Sequence, residues 1–181
     1  CICCLNCFES MEANAFVGTH GECSVNPFVG HEGDLLKKDG NGRAAVVIGA
    51  GPAGLTAADI LAQRGFSVTV FEKNAMPGGQ INLASAPPEK AKTAWIIDDL
   101  VKICREEGVE IKLNTPATVE AIKELSPCAV IAATGSRPIK PRFAGNGPAK
   151  DILTFEDILS GRVELRDCNV AVIGSGLTGL E

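Results

Sequence analysis

Cys1, Cys4, Cys7 and Cys23 have the residue type and spacing to hold a metal centre. Three of them are separated by two-residue gaps, which let successive sulfurs converge, and the fourth is remote. Iron–sulfur clusters take four thiolates, and a C-x2-C-x2-C run with a distant fourth cysteine is their usual spacing. Structural zinc more often takes two C-x2-C pairs or a mixed Cys/His set, which here would add Cys23 or His20 to the three. The spacing favours iron–sulfur. Cys3 adjoins Cys4, and two neighbouring residues cannot easily aim at one centre, so Cys3 reads as a bystander thiol.

A second constellation is Gly49-Ala-Gly51-Pro52-Ala53-Gly54, which fits G-x-G-x-x-G. The first glycine permits a tight turn, the second lets backbone approach a pyrophosphate, and the third lets a helix pack close to its strand. The helix start offers free N–H groups and a partial positive charge to phosphate. Pro52 at the first turn has no N–H to leave unused. Glu72 lies about 20 residues on, where an acid accepts hydrogen bonds from a ribose diol. An acid there favours a free 2′-hydroxyl over a 2′-phosphate.

These groups need elements to hold them. Ala44–Ile48 is an apolar run of the buried parallel-strand type. Leu55–Arg64 reads as a helix that Gly65 stops, and Ser67–Phe71 as a second strand ending at Glu72. Residues 73–90 read as a loop carrying Pro77-Gly-Gly79-Gln80. An amphipathic helix is predicted over 90–107, a half-wet strand over 109–113, a short helix over 118–125 and a third buried strand over 128–133. Residues 136–150 read as a proline- and glycine-rich linker. Thr154 should cap a short helix to Leu159, and Asn169–Ile173 reads as a strand before a second glycine turn, Gly174-Ser-Gly176-Leu-Thr-Gly179. The strand–glycine-turn opening therefore occurs twice. Residues 1–30 have no sustained period and read as irregular, and 31–42 as a linker. The predicted class is α/β: a Rossmann-like βαβ domain preceded by an irregular metal-binding segment.

Composition narrows the function classes. The chain has 181 residues, 45% apolar and 22% charged, the texture of a soluble globular protein. Its net charge of −5, with no basic block, argues against nucleic acid and anionic membrane as partners. No apolar run is long enough for a transmembrane helix, and the start lacks the pattern of a signal peptide. Five of eight cysteines fall before position 24, ahead of an α/β pattern, which favours a metal site in a reducing compartment over a disulfide framework. Cys104, Cys128 and Cys168 are expected to be buried core thiols. His20 and His31 are read as loop or capping residues. The sequence starts on a cysteine without an initiator Met and ends where a helix opens, so it reads as a piece of a longer chain.

Taken in order, Cys1-Ile-Cys-Cys4-Leu-Asn-Cys7, Cys23-Ser-Val-Asn-Pro27, His31-Glu32, the glycine turn, Gly78-Gly79-Gln80 and Ala133-Thr134-Gly135-Ser-Arg-Pro138 form a pattern. It resembles the C-terminal half of the NADH:flavin oxidoreductases related to 2,4-dienoyl-CoA reductase and clostridial enoate reductase, the old yellow enzyme-like group. The resemblance implies three parts: a (β/α)8 barrel with FMN and substrate, a segment holding one 4Fe–4S cluster, and a glutathione-reductase-like half for FAD and NAD(P)H. On it, residues 1–42 would be the cluster segment and linker, 43–138 the first part of the FAD domain, and 139–181 a linker and the start of the NAD(P)H domain. Cys1, Cys4, Cys7 and Cys23 would hold the cluster. Gly49, Gly51, Pro52, Ala53, Gly54, Glu72 and Lys73 would hold the ADP part of FAD, and Gly79 and Gln80 would sit on its flavin side. Thr134 and Gly135 would mark the hand-over between domains, and Gly174, Gly176 and Gly179 would open the nicotinamide site. Electrons would pass from NAD(P)H through FAD and the cluster to FMN in a barrel outside this sequence, which would reduce an activated C=C bond. The same resemblance implies a cytoplasmic enzyme with no catalytic acid or base in this portion, and leaves open a homo-oligomer.

Three rival readings stand beside it. A pyridine nucleotide–disulfide reductase would need a redox cysteine pair after Gln80, where the cysteines are solitary. A trimethylamine-dehydrogenase-like module would keep ADP in place of FAD, which the second glycine turn opposes. A non-catalytic module would hold zinc at the cysteines. The gap from Cys7 to Cys23 is longer than in the better-known members of the resembled family; a longer loop costs little closure entropy.

Overall fold

The computed structural model describes residues 1–139 and 152–180. Helix α1 (Asn6–Ala15) carries Cys7. The β-branched and small residues of β1 (Ala44–Ile48) and β2 (Ser67–Phe71) suit a pleat buried on both faces, and their inner residues are buried. Helix α2 (Pro52–Gln63) connects them as a crossover, which parallel neighbours require. Short α3 (Ile81–Ala84) and a 3-10 turn (Ala91–Ala94) lead to α4 (Trp95–Glu106), then β3 (Glu110–Lys112), α5 (Val119–Glu124) and β4 (Ala129–Ala132). After the undescribed stretch come α6 (Phe155–Leu159) and α7 (Leu177–Leu180).

The four strands form one parallel sheet in the order β3-β2-β1-β4. Ala44 pairs with Ser67 and Ile48 with Phe71, while Ala45 pairs with Ala129 on the other side of β1. Helices α2 and α4 bury Leu55, Ala58, Ile97 and Cys104 with Val47, Val68, Val70 and Val109. Removing that apolar surface from water is the main stabilising term, about 25 cal/mol per Å².

The segment before β1 is fastened to the far end of α2. Arg64 donates two hydrogen bonds of 2.8 Å to Asp39, one to each carboxylate oxygen. Arg43 donates to the Asp39 carbonyl at 2.9 Å, and the Arg43 and Arg64 guanidiniums lie 5.1 and 5.5 Å from the Phe66 ring centre. Gly40 runs against the backbone of Gly65 and Phe66 with no room for a Cβ.

Several sequence-based expectations need correction. Residues 6–15, read as irregular, are helical; Glu, Met and Ala favour the turns locally, and no residue of α1 is buried, so no core-facing stripe announces it. The 73–90 loop contains α3, and the helix predicted over 90–107 starts as a 3-10 turn. Strand β4 is an edge, with Val130 45% and Ile131 36% exposed, because nothing described covers it. Residues 169–173 form no strand: a strand needs a neighbour, and Val170, Val172 and Ile173 are exposed. Cys128 and Cys168 are exposed; of the three outlying cysteines Cys104 alone is buried. Most of the 136–150 linker lies outside the described residues. Among the described residues no helix is long and apolar enough to cross a membrane.

Candidate functional site

The glycine turn sits at the C-terminal end of β1, where parallel sheets place their ligand crevices. Gly49 has φ +105°, a conformation that L side chains rarely adopt. Its own N–H donates to the Phe71 carbonyl at 2.8 Å, which ties the turn to β2. A Cβ at Gly54 would run into the Gly49 carbonyl, so the start of α2 lies directly on the turn. At Gly51 a Cβ would meet nothing within 4 Å. The fold therefore tolerates a side chain at Gly51, and its absence leaves open space beside the helix start. Gly51 is the extended N-cap of α2, Pro52 follows, and no side chain caps the helix. The amides of Ala53 and Gly54 are thus left to an external anion.

Glu72 completes one flank. The residue is 5% exposed, and its Oε2 accepts from the Ala50 N–H at 2.8 Å. Oε1 accepts from the Asn74 N–H at 2.9 Å. A carboxylate has about four acceptor positions, so two stay available to a diol. Lys73 beside it is exposed. These residues fit an adenosine diphosphate group by shape and donor set: an uncapped helix start for pyrophosphate and a fixed carboxylate for ribose.

The opposite flank is built from two more segments. The Gly78 N–H donates to the Ala50 carbonyl at 2.8 Å, and Gly79, with φ +54°, places its missing Cβ 3.5 Å from the Gly51 Cα. Gln80 Nε2 donates to the Ser136 carbonyl at 3.0 Å and lies 3.1 Å from its hydroxyl. Thr134 and Gly135 are exposed at the end of β4. The turn that follows β1 closes on Ala133, whose carbonyl fills the Cβ position of Gly49. Residues 49–54, 77–80 and 133–136 therefore meet at one place. The sequence had no signal for Ser136 as Gln80's partner, since 56 residues separate them.

Gly174, Gly176 and Gly179 stand apart as a second turn. Gly174 has φ +112°, and a Cβ at Gly179 would run into the Gly174 carbonyl. That repeats the relation of Gly49 and Gly54, without a strand behind it.

The cysteines lie in two stretches tied side by side. The Ser10 hydroxyl accepts from the Glu22 N–H at 2.7 Å, and Cys4 Sγ lies 3.4 Å from Ser24 Oγ. Cys3 and Leu5 have φ +57° and +62°, so the chain turns sharply on both sides of Cys4. The Ser24 hydroxyl, then the Asn6 N–H, hold the Cys4 thiol below its ordinary pKa, which favours the thiolate that metals bind. All eight cysteines are free. The donors fit iron or zinc in kind. Among the described residues, however, no three of Cys1, Cys4, Cys7, Cys23 or the nearby His and acids are gathered into a ligand set. His20 and His31, read as loop residues, stack edge to face with centres 4.8 Å apart, and His31 pairs with Asp34. A groove of about 530 Å³ runs from Ser24 along Pro52, Ala53, Thr56 and Ile60 of α2; Glu72 and Gln80 do not line it.

The chain is similar to known proteins in sequence and in fold. The chain is 40% identical to NADH oxidase of Thermoanaerobacter brockii over 98% of its own length and 28% of the relative's. It is 36% identical to cinnamate reductase of Clostridium sporogenes over 98% of its length and 26% of that protein. Among solved structures, 2-naphthoyl-CoA reductase in complex with 2-naphthoyl-CoA superposes with a TM-score of 0.78 at 33% identity, covering 91% of this chain and 25% of that one. The chain thus spans about a quarter of the length of these relatives. This fits the FAD- and NAD-binding portion of an enoate/2,4-dienoyl-CoA reductase-like enzyme. Residues 43–181 match the pyridine nucleotide-disulphide oxidoreductase family, and the chain belongs to that family.

Proposed function

We propose that this chain is the electron-transfer portion of a NAD(P)H-dependent flavin oxidoreductase. The observation that carries the reading is the glycine turn: open space at Gly51, an uncapped α2 and Glu72 fixed beside them. Gly49, Gly51, Pro52, Ala53, Gly54, Glu72 and Lys73 bind the ADP half of FAD. Gly79 and Gln80 hold its flavin side, and Gly174, Gly176 and Gly179 begin the nicotinamide site. Cys1, Cys4, Cys7 and Cys23 hold a 4Fe–4S cluster. When bound, these groups supply hydride acceptance and onward release of single electrons. The chain's own residues bind, orient and shield, and none acts as a catalytic acid or base.

In this reading residues 1–42, 43–138 and 139–181 are the cluster segment, the FAD domain and the start of the NAD(P)H domain. The terminal acceptor is FMN in a (β/α)8 barrel of the longer chain. Relatives named cinnamate reductase and 2-naphthoyl-CoA reductase support an enoate or enoyl-thioester class of final substrate.

The family's name carries a second reading, disulfide reduction. That chemistry needs a pair of cysteines at the flavin. Cys104 is buried between α2 and α4, and Cys128 and Cys168 are single exposed thiols, which favours the first reading.

The test is anaerobic purification followed by a visible spectrum and metal, sulfide and flavin analysis. The proposal expects broad visible absorbance and about four irons per chain, the content of a 4Fe–4S centre, both lost on Cys23→Ser. Zinc in place of iron, or a colourless chain after reconstitution with iron and sulfide, would overturn the cluster assignment.

A further inference from the structure

The sheet order gives the dinucleotide site a direction. Strand β2, which leads to Glu72, lies on one side of β1, and β4, which leads to Ser136, lies on the other. If Glu72 holds the adenosine ribose and the start of α2 the pyrophosphate, the second half of the ligand must run toward β4. There Gln80 and Ser136 meet. Gln80 Nε2 lies within hydrogen-bond distance of both the Ser136 carbonyl (3.0 Å) and the Ser136 hydroxyl (3.1 Å). Among the described residues Gln80 Oε1 makes no hydrogen bond, and it can only accept.

We propose that Ser136 is a positioning residue for the flavin end of the site. It holds the Gln80 carboxamide with its oxygen free to accept from a donor on the ligand's second half, a ribityl hydroxyl or a ring N–H. The Ser136 carbonyl, which can only accept, sets the amide's orientation, and the hydroxyl, accepting from the same Nε2, holds the carboxamide in place. They also hold the 77–80 loop, whose Gly79 packs on Gly51, against the end of β4. The proposal rests on the FAD reading above and adds a residue to it.

Titration with FAD and with ADP, by calorimetry on the wild-type chain and on Ser136→Ala, Ser136→Thr and Gln80→Leu, tests it. Losing one neutral hydrogen bond should weaken FAD binding about three- to tenfold in Ser136→Ala. Ser136→Thr, which keeps the hydroxyl, should restore it, and Gln80→Leu should lose at least as much as Ser136→Ala. ADP lacks the second half, so its affinity should stay within about twofold throughout. Unchanged FAD affinity in Ser136→Ala, or an equal loss for ADP, would overturn the positioning role. Wild type that binds ADP but not FAD would overturn it too, while leaving the glycine turn intact. Binding of neither ligand would overturn the proposed function itself, and this inference with it.

Discussion

Ala50 and Glu72 are joined by a hydrogen bond of 2.8 Å in which the backbone N–H donates to the buried carboxylate. The bond links the turn after β1 to the end of β2. The acid that would receive a ribose is therefore held by the same loop that would receive the phosphates. The Asn74 N–H fixes its other oxygen, so the carboxylate is set before any ligand arrives.

Glu72→Gln should show the cost of disturbing that arrangement. An amide can present an oxygen to only one of the two N–H groups, and its NH2 then faces the other. With the oxygen kept on the buried Ala50 N–H, the part-buried Asn74 N–H is left unmatched, which costs about 1 kcal/mol, the low end for a lost partner. Denaturant unfolding should show that loss together with weaker ADP binding. Full retention of both would mean that the carboxylate does not organise the site.

Gly54→Ala should act through packing. Its Cβ would overlap the Gly49 carbonyl, which is backbone and cannot swing aside. Overpacking of this kind costs about 1–3 kcal/mol. The melting temperature should fall, and nucleotide binding should fall with it as α2 is pushed off the turn.

Asp39→Asn should reveal an acid-sensitive fastening. The Arg64 guanidinium holds the Asp39 carboxyl below its ordinary pKa. A depressed carboxylate stabilises the fold above its unfolded value, about 3.9, and loses that contribution as pH falls through the depressed one. The gap in melting temperature between wild type and variant should be present at neutral pH and shrink below about pH 4. A gap independent of pH would show that the ion pair contributes nothing.

Cys104 should resist alkylation. Burial, with the charge of Asp59 added, pushes its thiol up to about 11. Both effects penalise the thiolate, so stability is unaffected below the ordinary thiol value and falls as pH rises from there through the raised one. Mass spectrometry after iodoacetamide at mild alkaline pH should find Cys128 and Cys168 modified and Cys104 unmodified until the protein is unfolded. Equal labelling would place Cys104 outside the core.

What could be read from the sequence was local. The β1–turn–α2–β2 unit combines short-range signals: an apolar run, a glycine turn, Gly65 with φ +86° as a stop, and an acid in register. The helix at Phe155 follows its capping box of Thr154 and Asp157 in the same way. What failed depends on distant partners. Whether Ala129–Ala132 is covered is decided by sheet order, and whether Val170–Ile173 becomes a strand by a neighbour. Helix α1 escaped notice because it buries nothing. At the site, the two carboxylate bonds of Glu72 and the Gln80–Ser136 link escaped because backbone donors and residues far apart in the chain leave no spacing to find.

The most direct test is calorimetric titration of wild type and Gly51→Ala with ADP, alongside thermal melts of both. Gly51 has φ −79° and no atom near a Cβ, so alanine should fold unchanged, within about 0.5 kcal/mol. The account predicts one ADP site per wild-type chain and at least a tenfold loss in Gly51→Ala, about 1.4 kcal/mol, with the melting temperature preserved. Equal affinity in the two proteins, or no ADP binding by wild type, would contradict it.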